Sequence, residues 1–280
     1  VEQLDGRTIK DKNMRQLQLR TDKLLAHVED GVGWITFNQP NKRNAVSFAM
    51  WQAIPEIIED FASSDDVRVV VLKGAGDKAF VSGADISEFE KVRNTPEQVE
   101  IYEAATSAAS SALKTLQKPL IAMIRGFCIG GGMAIALTAD LRVTADDGQF
   151  GVPAAKLGLG YGYSGIKELM NIVGPSFAKE IFFTGGRFTA SEAVTMGLVN
   201  RVVTVDELEA TVTTLATTIA GNAPMTVKAA KAAINEGTKN PDDRDLDRVA
   251  AMVEACFNSE DYIEGRRAFM EKRKPRFHGR

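Results

Sequence analysis

Histidine is nearly absent from this sequence: His27 and His278, near opposite ends, are the only two among 280 residues. A Ser-His-Asp triad, a Cys-His pair or a histidine-ligated metal each needs an imidazole in the body of the fold, so those mechanisms are poorly served. Cysteine is equally scarce. Cys128 and Cys256 lie far apart and form no metal or redox motif, which makes a reducing, cytoplasmic setting the expectation. No apolar stretch reaches the roughly 18 residues of a membrane span, and no signal-peptide pattern is visible. Charge of one sign is also missing. The net charge is −3 with both signs mixed along the chain, and only residues 266–280 are clearly basic. That gives nucleic acid little footing as a partner.

What is present is enough apolar residue, 44% of the chain, to fill the core of one large domain. Residues 1–23 are polar and mixed in charge and read as a loosely held arm. LLAHVEDGVGWITFNQP reads as two short strands about a turn at 29–33. The apolar spacing of Met50, Ile54, Ile57, Ile58 and Phe61 predicts a helix over 48–61, with Pro55 predicting a kink or a late start. VRVVVLKG and KPLIAMIRG read as buried strands, the first followed by AFVSGADI and a polar helical region to about Leu116. ADLRVTADDGQF reads as strand then turn. Strands alternating with helices predict an α/β layered architecture over 24–204. Beyond a soft boundary near 204 the strands stop, and helices dominate residues 205–280.

CIGGGMAIALTAD, 128–140, carries the chemistry. Three consecutive glycines are costly in backbone entropy, and they precede an apolar helical run. A strand that ends in glycines and opens a helix presents free N–H groups at the positive end of a helix dipole. Such a site suits a phosphate or a developing oxyanion; close glycine-mediated packing explains it equally well. The lysine and Ser/Thr of a P-loop are absent. AFVSGADI similarly sets Ser82 and Gly83 after a strand, with Ala84 offering a further amide. Two N–H groups from separate loops converging on one oxygen would form an oxyanion hole.

With those segments in hand, the sequence resembles the crotonase superfamily, which includes enoyl-CoA hydratases and isomerases. The matching pieces are NKRNA, VVVLKGAGDKAFVSGADI, KPLIAMIRGFCIGGG, TADLRVTADDGQFGVPAAKLGL, FTGGRFTASEAVTMGLVNRVV and AFMEKRKPRF. They occur in the family's order over about 25–277. The resemblance implies a ββα spiral core followed by a helical trimerisation region, assembled as a homotrimer or a dimer of trimers. It implies an acyl-CoA thioester as ligand, with CoA part of the substrate and no separate cofactor or metal. The thioester oxygen would sit between the amides of Ala84 and Gly131. Arg43 and Ala45 would lie along the CoA path, with Ser82 and Gly130 in the same binding set. Asp85 and Ile86 would flank the adenine, and Phe269 and Lys272 would reach the CoA of a neighbouring site. A solvated surface charge is the plain alternative for Arg43 and Lys272.

The sequence departs from the hydratase pattern at two places. The family's two catalytic glutamates fall on Ala134 and Ala154. Asp140, Asp146 and Asp147 are the carboxylates of the region, and each reads as a cap or turn residue; Glu88 and Glu90 read as a solvated helix start. Decarboxylation of a malonyl-type thioester needs an oxyanion hole and a proton donor but no base. LGLGYGYSGIKEL also resembles the corresponding stretch of methylmalonyl-CoA decarboxylases, with Tyr161 on their pocket tyrosine, although that subgroup carries histidine where Ala84 stands. Tyr161, Tyr163 and Ser164 are therefore the candidate polar groups. Packing at a glycine-rich turn is the competing account of both tyrosines. Lys156 reads as a surface charge and Cys128 as a small buried residue. A catalytically silent acyl-CoA-binding protein is the remaining expectation.

Overall fold

The computed structural model describes residues 14–280. Residues 1–13 of the expected arm lie outside the described residues. The remainder of that arm is tied down: β1 (Arg15–Gln16) pairs antiparallel with β2 (Leu24–Glu29), and Arg15 grips Asp60 through two hydrogen bonds of 3.0 and 2.7 Å.

The β2 strand turns back into β3 (Val32–Phe37) through Asp30 and Gly31, both at positive φ, the geometry an Asp-Gly hairpin favours. The turn is shorter than the sequence suggested. Gly33 belongs to β3, paired with Val28, and is glycine because a side chain there would lie 2.7 Å from the ring of Phe61. The first helix, α1 (Phe48–Ser63), starts at a Ser47 cap and runs through Pro55 as one element. Its apolar face, Met50, Ile54, Ile57 and Phe61, is wholly buried, and that burial offsets the backbone bond the proline forgoes.

β4 (Val69–Gly74) and β5 (Ala79–Val81) follow, then α2 (Phe89–Val92) and α3 (Pro96–Thr115), the latter opened by a Thr95–Gln98 capping box. β6 (Leu120–Ile124) and β7 (Phe127–Ile129) lead into α4 (Gly131–Thr138). β8 (Leu141–Ala145), β9 (Gln149–Gly151), α5 (Tyr163–Thr184), β10 (Phe188–Thr189), α6 (Ala190–Thr195) and β11 (Arg201–Val203) complete the layers. The larger sheet has the order β1-β2-β3-β4-β6-β8-β11, parallel from β3 onward; the smaller has the order β10-β9-β7-β5.

Alternation along the large sheet sends side chains to two cores. Ile35, Phe37, Val70 and Leu72 join α1, the small sheet and α4 in one. Val32, Trp34, Val69, Val71, Ile121 and Val143 face the other way, onto Leu208, Val212 and Ala216 of α7 (Val205–Ala220). Residue 204, the soft boundary expected from the sequence, lies between β11 and α7, but the layered core continues through α7. The helices α8 (Pro224–Gly237), α9 (Leu246–Phe257) and α10 (Glu260–Met270) follow. Between them they leave an apolar groove lined by Ala229, Val253, Phe257, Tyr262 and Phe269. No helix among the described residues is long and apolar enough to cross a membrane.

Candidate active site

The three glycines have three separate reasons. Gly130, the residue before α4, sits at φ 55° and ψ −112°, where a side chain is strained, and its N–H is spent on the Gly151 carbonyl at 2.9 Å. A Cβ on Gly132 would lie 2.0 Å from the Val81 carbonyl, so only glycine lets α4 close onto β5. A Cβ on Gly131 would meet nothing tighter than the Ala84 nitrogen and the Gly83 carbonyl carbon, both at 3.5 Å. That position is not forced by packing. Its bare Cα leaves open the space in front of the Ala84 amide.

Ala84 is turned toward that space by its neighbours. Val46 donates to the Gly83 carbonyl at 2.8 Å and accepts from the Asp85 N–H at 2.9 Å, a parallel bridge that directs the Ala84 N–H to the opposite side. Neither the Ala84 N–H nor the Gly131 N–H, in the first turn of α4, has an acceptor among the described residues. Two unpaired donors from separate loops can together hold one anionic oxygen.

A cavity of about 700 Å3, within the usual range for a small-molecule site, opens beside Gly131. Trp51, Arg93, Ser107, Ser110, Ser111, Lys114, Ala134, Thr138, Tyr161 and Ser164 are among its lining residues, and none of the lining residues is aspartate or glutamate. Ala134 faces the cavity, whereas Ala154 is buried and is not part of its wall. Tyr161 packs edge-on against Phe182 with ring centroids 5.0 Å apart, and its hydroxyl has no hydrogen-bond partner among the described residues. Burial, with a smaller contribution from the Glu168 charge, pushes its phenol above the ordinary tyrosine value, so it stays protonated at neutral pH. Tyr163 opens α5 and points to solvent, 74% exposed. Proximity in sequence hid this division between the two tyrosines.

The acids near the site are otherwise engaged. Asp140 accepts from the Leu120 N–H and from Lys231, both at 2.7 Å, and Asp147 accepts from the Gly126 N–H at 3.0 Å. Glu88 is held by Lys23 at 2.9 Å and by the Phe48 N–H at 3.0 Å, a tighter arrangement than the solvated helix start expected from sequence. Glu90 is exposed. Cys128 is fully buried, and burial drives its thiol far above its normal range, which removes it as a nucleophile.

The remaining predicted residues fall into two groups. Arg43, Ala45, Ser82 and Asp85 gather about one turn. The Ser82 N–H donates to the Arg43 carbonyl at 3.1 Å, and Arg43 lays its guanidinium 4.8 Å from the Phe127 ring centroid. Asp85 is buried; its carboxylate accepts from Lys42 at 2.8 Å and from the Ser87 hydroxyl at 2.6 Å. Ile86 beside it is 69% exposed. Phe269 and Lys272 are not brought to this cavity. Phe269 lies on α10 in the apolar groove, 83% exposed, and Lys272 follows that helix on the surface.

Asn44 escaped notice within NKRNA, yet it organises the turn. Fully buried at φ 56°, it accepts from the Gln39 N–H at 3.0 Å and donates to the Ala75 and Ala79 carbonyls at 2.9 and 2.7 Å. Asparagine is among the few residues that tolerate that backbone, and an asparagine within the polar turn NKRNA was the only signal the sequence offered.

Asp85 also sets a pH response. Burial alone would raise its carboxyl, but the bonds from Lys42 and Ser87, with the Lys42 charge, together hold it below the ordinary value. A carboxyl depressed in the folded state adds stability above its unfolded pKa, and that contribution is lost as pH falls through the folded value. Lys42→Met removes the strongest of these bonds and leaves burial dominant. The acid-unfolding midpoint, followed by circular dichroism, is expected to move to higher pH; an unchanged midpoint would show that Ser87 alone sustains the charge.

The layered, largely parallel sheets, with two free backbone donors beside a ligand-sized cavity, define an α/β protein with room for a small-molecule ligand. A family model described as enoyl-CoA hydratase/isomerase matches residues 27–280. The short-chain-enoyl-CoA hydratase of Clostridium acetobutylicum is 36% identical over 256 residues, covering 91% of this chain and 97% of that one. The crotonyl-CoA hydratase of Syntrophomonas wolfei is 32% identical over 256 residues, covering 91% and 98%. The crystal structure of an enoyl-CoA hydratase/carnithine racemase from Magnetospirillum magneticum superposes with a TM-score of 0.86 at 34% identity, covering 95% and 97%. This chain belongs to the enoyl-CoA hydratase/isomerase family of the crotonase superfamily. The α/β class and the family read from the motifs are both borne out.

Proposed function

We propose that the chain binds an acyl-CoA thioester with its carbonyl oxygen between the N–H groups of Ala84 and Gly131 and turns it over through the enolate. One observation carries this reading: two acceptor-free donors from separate loops meet beside a cavity whose wall holds hydroxyls and cations but no carboxylate. Arg43, Ala45, Ser82, Asp85, Ile86 and Gly130 then form the CoA-binding set. Phe269 and Lys272 serve the neighbouring site of a homotrimer or dimer of trimers, and the apolar groove of α8–α10 supports that self-association. The two free cysteines suit a cytoplasmic location.

The same wall disfavours water addition, because no acid–base pair faces the acyl group. Loss of CO2 from a malonyl-type thioester fits better. The bond from Cα to the carboxylate breaks, its electron pair forms the enolate held at Ala84 and Gly131, and the Tyr161 phenol gives its proton to Cα. Solvent then reprotonates the phenolate. Tyr161→Phe is expected to reduce turnover about 100-fold with little change in CoA affinity, the range of a lost general acid. Unchanged turnover removes Tyr161 from the reaction.

The test is mass spectrometry of a mixed thioester panel, with crotonyl-CoA and methylmalonyl-CoA included, against heat-killed protein. Loss of CO2 from the malonyl species supports the reading. Gain of water by the enoyl species overturns the role given to Ala134 and Ala154. Binding without any conversion favours a silent acyl-CoA carrier.

A further inference from the structure

Arg93 is unlike the other charges of the cavity wall. Lys114, the second cation there, is paired with Glu168. Arg93 forms no ion pair among the described residues. The nearby acids are committed elsewhere, Asp85 to Lys42 and Glu88 to Lys23. Glu100 and Glu103 line the groove on the other side of Arg93, and neither forms an ion pair with it.

The guanidinium is nevertheless held in place. It lies 4.9 Å from the Phe89 ring centroid and 5.0 Å from that of Tyr102. Tyr102 is fixed in turn: its hydroxyl accepts from the Trp51 indole N–H at 3.1 Å, and its ring stacks on Phe48 at 5.9 Å. The backbone N–H of Arg93 donates to the Phe89 carbonyl at 2.8 Å, which sets the side chain's origin. An arginine so placed has surrendered most of its rotamer freedom before any ligand arrives, and its planar fork matches a carboxylate.

We infer that the acyl group carried into this cavity bears an anionic group, a carboxylate at its distal end, and that Arg93 is the residue that selects it. The substrates are then ω-carboxyacyl thioesters rather than simple fatty acyl ones. The cavity suits that class on both counts: one uncompensated cation to meet the carboxylate, and serine and threonine hydroxyls without an acid to repel it. The inference rests on the proposed binding of a CoA thioester but not on the loss of CO2: the distal carboxylate stays on the acyl group, and a thioester that also lost CO2 would carry a second carboxylate on Cα.

The experiment is calorimetric titration of the 280-residue chain with thioester pairs of equal chain length: succinyl- against butyryl-CoA, glutaryl- against valeryl-CoA, adipyl- against hexanoyl-CoA. In at least one pair the carboxylated ligand is expected to bind about tenfold tighter, the scale of one charge-assisted hydrogen-bond pair. Arg93→Met is expected to bring that ratio close to one, and Arg93→Lys to recover part of it. A merely structural role would weaken both members of a pair together and leave the ratio alone, as would partial misfolding. Ratios near one in all three pairs, or a ratio that survives Arg93→Met, overturn the inference while leaving thioester binding intact. Failure of every thioester and of free CoA to bind overturns the proposed function itself, and the inference with it.

Discussion

Gly131→Pro is expected to lower turnover about 100- to 1,000-fold with the fold retained, the cost seen when one donor of an oxyanion hole is removed. Proline at this position deletes the N–H and also sets ring atoms into the space in front of the Ala84 amide, so both losses fall on the same oxygen site. Gly131 is the first residue of α4, where a helix tolerates proline, and a Cβ there meets its nearest neighbours at 3.5 Å, ordinary contact. Rate is measured on whichever thioester the panel identifies, and thermal melting checks the fold. A variant that melts normally and keeps its rate within threefold would mean that the Gly131 N–H does not carry the developing charge.

The second large effect is on stability. Asn44→Ala is expected to cost about 3 kcal/mol in urea unfolding, because it strands the buried Ala79 carbonyl together with the part-buried Gln39 N–H and Ala75 carbonyl. The left-handed backbone at φ 56° adds about 1 kcal/mol for alanine. CoA affinity should fall as well, since Asn44 pins the turn that carries Arg43 and Ala45 to the strands leading into Ala84. A loss under 0.5 kcal/mol, on the order of an ordinary surface substitution, would show that water replaces all three partners without penalty.

These two positions mark what was legible in the sequence and what was not. The glycine run and the SGAD segment announced backbone donors because the cost of consecutive glycines needs a reason, and their order along the chain disclosed the family. The Asp-Gly hairpin and the strands VRVVVLKG and KPLIAMIRG were equally plain, each a local pattern with a local cause. Pro55 misled because its penalty is local while the burial that overrides it comes from residues distant in sequence. The end of the layered core was read too early for a related reason. The α7 helix looks like its successors in sequence, and only the outward set Val32, Trp34, Val69 and Val71 reveals that a second apolar face needed covering. Tyr161 and Tyr163 differ by two places, and only the onset of α5 sends one inward and the other out. Arg93 carried no sequence signal at all. Its place depends on Phe89, Tyr102 and Trp51 meeting in space.

The covering of the large sheet by α7 bears on how the protein is made. From β3 onward the strands join one edge in the order in which they leave the ribosome, so the sheet can grow during synthesis. Its second face gains a cover only when Val205–Ala220 emerges. At typical elongation rates, the interval between Val32 and Ala220 lasts about 10–40 s. As Trp34 and then Val69, Val71 and Val143 join that face, each adds apolar surface whose partners, Leu208, Val212 and Ala216, are the last of the set to be made.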